Sequence, residues 1–323
     1  MPERIEISTK AILLIFAFVT GLWLFITIHD ILLLLFMAFV VMSALKTNVD
    51  YMVRRGINRT LAIACNYVII LCILAIFATI VLPPLVSESI RLAVHLPELI
   101  NKFAPFININ QDTILQQITP IGQNIAKLTI GVFSNIFTIL TIMVFSFYFL
   151  HEHGNVRRFL SGFIGSVWAD QTVEIVKKIE ERMGAWVRGE LILGFIIGIS
   201  SYIGLLLLGV NFALPLALLA GVLELVPIIG PIISAIPAII VAFPDSPLLA
   251  LKVVILYTVI QQLENNFIVP TVMQKSVGLP SLAILLALMV GGRLGGTIGI
   301  ILAVPLLLAS QTMIQYFLTK RHI

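Results

Sequence analysis

Residues 212–243 read FALPLALLAGVLELVPIIGPIISAIPAIIVAF, thirty-odd apolar residues interrupted halfway by Pro227-Ile228-Ile229-Gly230-Pro231. Unbroken, 32 helical residues would run roughly 48 Å, well beyond the ~30 Å hydrocarbon core of a bilayer. Proline lacks an amide proton and clashes with the preceding turn, and glycine carries the largest backbone entropy cost, so the chain leaves the helix at this point. A second run, 281–317, breaks the same way at Gly291-Gly292-Arg293-Leu294-Gly295-Gly296. Each is either a single kinked span or a re-entrant hairpin whose short halves meet at membrane depth. The hairpin is favoured by a weak internal repeat. Leu214-Pro215 opens the first run, which later contains Pro237; Leu279-Pro280 opens the second, which later contains Pro305. As hairpins the copies enter from opposite sides, the inverted repeat of many secondary transporters. Non-helical backbone at that depth is tolerated only where protein or a water-filled cavity covers it, so both breaks are candidate substrate sites.

The rest of the chain fits that setting. Apolar residues make up 59% and charged residues 11%, with mean hydropathy +1.09. A soluble domain needs about a quarter of its residues charged, so lipid must be the solvent here. The fold class is an all-α membrane protein, a polytopic helical bundle. Further spans are expected at about 9–28, 31–46, 60–83, 128–150, 190–209 and 249–269, with a turn at His29-Asp30. Residues 1–83 form the N-terminal helices, and 84–127 an amphipathic segment outside the membrane. Residues 128–150 are a span, 151–189 are cytoplasmic, and 190–323 form the transport core. Val173, Val176, Ile179, Met183 and Trp186 recur at helical spacing opposite Lys177, Lys178, Glu180, Glu181 and Arg182. That pattern suits a helix lying along the membrane interface, against the bundle or a neighbouring subunit. Lys and Arg gather at the N-terminus, at 46–59, at 151–190 and at the tail. The positive-inside rule then puts both termini in the cytoplasm, as in a prokaryotic inner membrane. Arg4 and Lys10 precede a run too long for an ordinary signal sequence, so the first helix is expected to be retained.

Ionisable and amide groups inside the apolar runs are the candidate chemistry, because each is costly there. Glu264 leads, with Gln261, Gln262, Asn265 and Asn266 around it. Helical spacing places Gln261, Glu264 and Asn265 on one face and Gln262 and Asn266 on the next. Carboxylate and amide oxygens suit a monovalent cation or a small polar solute. Glu224, three residues before Pro227, is a proton-coupling candidate and Arg293 at the second break a candidate for binding substrate or ion; the competing reading is a structural pair between a cation such as Arg293 and Glu224. Backbone groups freed around Pro227, Gly230, Pro231, Gly292, Gly295 and Gly296 could bind substrate directly. Ser200, Ser201 and Tyr202 read as packing groups, Cys65 and Cys72 as small apolar ones, and Lys252 as snorkelling to the headgroups. His151-Glu152-His153 alternates off any single helix face, so no metal site and no cofactor is expected. Neither is a nucleic-acid partner. The chain has no H-E-x-x-H, no G-x-S-x-G and no P-loop, which speaks against an enzyme.

Several motifs in order resemble the autoinducer-2 exporter family. They are Arg188-Gly189, Glu224 through Pro231 with Pro237, Gln261 through Asn266 with Pro270, and Gly291-Gly292, Gly295-Gly296, Gly299 and Pro305. The match is good from about 185 to 312, while the first 150 residues agree mainly in hydropathy. Members often carry a polar residue where this chain reads Gly278-Leu279-Pro280. The resemblance implies an integral membrane transporter that forms a homo-oligomer. Some members are described as exporters of autoinducer-2 and others as sodium or lithium/proton antiporters. A non-transporting membrane scaffold is the competing reading from another class.

Overall fold

The computed structural model describes residues 9–81, 136–152, 155–273 and 279–320, with the isolated positions 83 and 87. The expected outer segment 84–127 lies outside these residues apart from position 87, as do His153 and Gly278. The described residues form helices, and no strand occurs among them. In chain order the helices are α1 (Thr9–Arg54), α2 (Arg59–Ile76), α3 (Ile136–His151), α4 (Val156–Ile164) and α5 (Ser166–Leu207). Then come α6 (Ala213–Leu223), α7 (Ile229–Ala242), α8 (Pro247–Leu263), α9 (Val269–Val272) and α10 (Ser281–Lys320). A π-helical turn, Phe77–Val81, follows α2, and another, Glu264–Ile268, links α8 to α9. Spans long and apolar enough to cross a membrane lie in α1, α2, α5, α8–α9 and α10. This is a polytopic all-α membrane protein.

Two helices run on where the sequence suggested a change of direction. Instead of turning at His29-Asp30, α1 continues for 46 residues, about 69 Å. No glycine or proline occurs between Gly21 and Gly56, and two adjacent polar residues alone do not break a helix. Likewise the amphipathic interval is not a separate interfacial helix. It is the first half of α5, continuous with the following span over 42 residues. Its stripe is covered by protein: Val40, Met183 and Leu302 share one cluster, and Trp186, Leu193, Met273, Val304 and Leu308 another. Part of the charged face is engaged as well. Lys46 Nζ meets Glu180 Oε1 at 2.5 Å. Arg182 donates to Thr312 at 2.9 Å, Gln311 at 3.1 Å and Gln315 at 3.2 Å, and the Tyr316 hydroxyl donates to Glu174 at 3.0 Å.

Both broken runs are helical hairpins. Asn211 Nδ2 donates to Asp245 Oδ2 at 3.3 Å, although 34 residues of straight helix would separate them by about 50 Å. The chain reverses between α6 and α7 over Glu224–Ile228, where Ile228 takes φ 71°, a strained left-handed value for a β-branched residue. In α10 the reversal falls at Gly296, whose φ 54° and ψ −136° suit glycine. Gly291 and Gly299 then face each other so closely that a Cβ on either would run into the other's carbonyl oxygen; along a straight helix they would stand about 12 Å apart. The first hairpin is based beside the start of α8 and the second follows the end of α9. The two therefore open from opposite ends of that span, as an inverted repeat. With Cys65 and Cys72 replaced by alanine, cysteines at Asn211 and Asp245 are expected to cross-link on mild oxidation. Loss of maleimide-reactive thiol reports it, and retention of both thiols refutes the closed hairpin base.

The first hairpin packs between α5 and α8, where Ile197, Leu205, Leu216, Ala220, Ala238, Val253 and Ile260 form one buried cluster. Lipid is as apolar as these side chains, so van der Waals fit and small residues hold the helices together. Helix α5 crosses α6 at close range. A Cβ on Gly194 would lie 2.5 Å from the Gly221 carbonyl oxygen, and one on Gly221 would lie 2.6 Å from that of Gly194. A separate cluster joins α1, α2 and α3 through Met42, Val49, Ile63, Tyr67 and Leu150.

Candidate functional site

The glycine crossing sets the site. Glu224 follows the last residue of α6, and its Cβ lies 3.7 Å from where a Cβ on Gly194 would be. One turn before Gly194, Glu190 points from α5 into the same region. Glu264 enters from α8, at the first residue of the π-helical turn. Pro270 gives that turn a cause. It cannot donate to the carbonyl four residues earlier, and its ring clashes there. The wider π turn takes up the mismatch, with the Val269 amide donating to the Glu264 carbonyl.

All three carboxyls are buried: Glu224 is 1% exposed, Glu190 3% and Glu264 5%. Glu224 and Glu264 stand within hydrogen-bonding reach of each other, and Glu190 adds a third negative group near both. Gln261 Nε2 donates to Glu264 Oε2 at 3.1 Å, and the Trp186 side chain hydrogen-bonds Glu190. Among the described residues, one oxygen each of Glu224 and Glu190 is buried without a partner. Glu224 also caps the carbonyl end of α6, where the helix dipole opposes a negative charge. Among the described residues no Lys or Arg forms an ion pair with any of the three. Two ionised carboxylates about 4 Å apart repel by about 4 kcal/mol at an effective dielectric near 20. An ionised carboxylate has no proton to donate, so the pair is complete only with a proton or a monovalent cation between its oxygens. Among the described residues no group of three His, Cys, Asp or Glu side chains is arranged to hold a metal ion.

The structure gathers some of the sequence-predicted residues and separates others. Gln261, Glu264 and Glu224 meet. Asn265 is exposed and does not share their face, because the π turn changes the angular step after Glu264. Gln262 and Asn266 pair with each other on the exposed side, Asn266 Nδ2 donating to the Gln262 carbonyl at 2.8 Å and to its Oε1 at 3.2 Å. Pro227 and Pro231 are half-buried and shape the break. Gly230 is buried against the Leu223 carbonyl, and its amide already donates to Val226 O at 2.8 Å, so it offers no free donor. Gly292, Arg293, Gly295 and Gly296 form the tip of the second hairpin. Arg293 is exposed and makes no ion pair with Glu224. Gly295 rests on Leu33 of α1, so this tip packs on a different helix. Ser201 is buried and faces Tyr257 across α5 and α8, consistent with packing.

Sequence reasoning missed Glu190, which it treated as the end of the amphipathic interval. The available signal was its place as the first charge inside the 190–209 span, four residues after an indole. Replacing Pro270 with alanine is expected to relax the π turn to α-helix and rotate Glu264 away from Glu224. Labelling of Glu264 by a hydrophobic carbodiimide then changes from the parent pattern. An unaltered pattern counts against proline as the cause.

A family model described as AI-2E family transporter matches residues 12–319 of this chain. Among curated proteins, the chain is 28% identical over 278 residues to the putative transport protein YueF of Bacillus subtilis, covering 79% of this chain and 75% of that one. It is 25% identical over 326 residues to the putative permease PerM of Escherichia coli K12, covering 92% and 90%. To the putative transport protein sll0063 of Synechocystis it is 24% identical over 292 residues, covering 83% and 73%.

Proposed function

The chain belongs to the AI-2E transporter family, and on that premise we propose that it exports a small polar solute in exchange for protons carried between Glu224 and Glu264. The family establishes a membrane transport protein; the coupling rests on the site. One observation carries it: two buried carboxyls face each other across the α6 break and the π turn, with no Lys or Arg of the described residues paired to either. Such a pair gains or loses a proton as its access to water changes, and a hairpin tip is a moving part of the kind alternating access requires.

The basic segments support an orientation. Lys46, Arg59 and Arg182 lie on helices joined at one end of the bundle: Lys46 meets Glu180, Arg59 donates to Leu150 O at 2.9 Å, and Arg182 holds Gln315 near the C-terminus. The positive-inside rule assigns that end to the cytoplasm of a prokaryotic inner membrane.

A second reading, sodium or lithium/proton antiport, is favoured by the donor set itself. Carboxylate and Gln261 amide oxygens are hard ligands suited to a small monovalent cation. Reconstituted vesicles with an internal pH dye separate the two readings. A proton flux triggered by a sodium or lithium pulse selects antiport, and one triggered only by an outward gradient of a polyol solute selects solute export. A flat trace under every pulse, with reconstitution verified, removes proton coupling.

A further inference from the structure

The apolar stripe of α5 is covered by protein at Met183 and Trp186, but that of α4 and of the first residues of α5 is bare. Val156, Phe159, Phe163, Ile164, Val167 and Trp168 are all exposed, Phe163 by 76%. No residue of α4 is buried. Phe159 and Phe163 pack ring to ring with centroids 5.0 Å apart, making one aromatic face. Away from it, Arg157 Nε donates to Asp170 Oδ1 at 2.5 Å, which fixes α4 on the start of α5, while Arg158 and Ser161 are exposed. In water such a patch is an association liability, and it needs a partner.

The position of α4 says which one. The apolar helix α3 ends at His151 and α4 begins at Val156. Five residues reach at most about 18 Å, so α4 cannot leave the neighbourhood of the membrane surface. It carries two arginines beside an aromatic face, at the same end of the bundle as the other basic segments. We propose that α4 and Trp168 form an interfacial anchor that lies at the headgroup–acyl boundary of an anionic bilayer, with Arg158 on lipid phosphates. Aromatic rings favour that depth, and each basic residue near an anionic surface contributes about 1 kcal/mol. The anchor fixes the start of α5, the helix that carries Glu190 just past its middle.

Spin labels test it in the full-length protein reconstituted in vesicles containing phosphatidylglycerol, with Cys65 and Cys72 replaced by alanine. Labels at Phe159→Cys and Phe163→Cys are expected to collide more with oxygen than with a nickel chelate. A label at Ser161→Cys is expected to show the reverse. Using two apolar-face positions keeps the result independent of either substitution. Nickel-dominated collision at both 159 and 163 would place the face in water and overturn the anchor. Exclusion of both reagents with spin–spin broadening would assign the face to a second copy of the chain, and also overturn it. Omitting phosphatidylglycerol is expected to move both labels toward water; an unchanged depth overturns the anionic-lipid component.

Discussion

Glu264→Gln and Glu224→Gln, each reconstituted beside the parent protein, are expected to reduce coupled proton movement to the level of empty vesicles. The argument begins from packing. Both side chains are almost wholly enclosed, and each faces the other's carboxyl. Glutamine matches glutamate in shape and hydrogen-bonding reach but cannot exchange a proton near neutral pH. The substitution therefore leaves the fold in place and removes the exchangeable proton, so size-exclusion profile and thermal stability should hold. Relief of the repulsion within the pair favours the variants slightly, because a buried charge without a cation is itself destabilising. Parent-level flux in both variants, with incorporation verified, would remove the pair from the mechanism. The scaffold reading would then be the stronger one. Loss in one variant alone would assign the moving proton to that carboxyl.

Gly194→Ala is expected to cost both stability and transport. Its new methyl would lie 2.5 Å from the Gly221 carbonyl oxygen, closer than real Cβ contacts come, and the obstacle is backbone that cannot rotate away. The α5 and α6 helices must separate, and α6 carries Glu224. Overpacking of this kind typically costs about 1–3 kcal/mol. A thermal unfolding scan in detergent should show a lower midpoint, and flux should fall because Glu224 is drawn off Glu264. Gly21→Ala, where nothing lies within 4 Å of the added methyl, is the matched control and should behave as the parent. If Gly194→Ala matched that control in both assays, the glycine crossing would not be what positions the acidic site.

The sequence by itself determined the lipid setting, the two breaks and the polar cluster ahead of Pro270. Each is a local effect: a run of apolar residues needs a lipid solvent, and proline or glycine interrupts a helix wherever it stands. Polar side chains inside such runs are conspicuous in the same way. Local patterning was less reliable for continuity. His29-Asp30 suggested a turn, but a polar pair without a breaker does not end a helix, so α1 runs through it. The stripe from Val173 to Trp186 announced a face set against the bundle, and the structure buries its end at Met183 and Trp186, yet periodicity could not show that the helix runs on into the next span.

Partnership was decided only by the tertiary structure. A structural pair between Glu224 and Arg293 was the alternative to a proton-coupling role for Glu224, since each stands at one of the two breaks. The Gly194–Gly221 crossing instead brings Glu224 to Glu264 and Glu190, while Gly295 seats the second hairpin on Leu33 of α1. Residues 34, 40 and 74 positions apart along the chain meet through close backbone approach at glycines, and no local sequence pattern encodes which helix a bare backbone surface will press against.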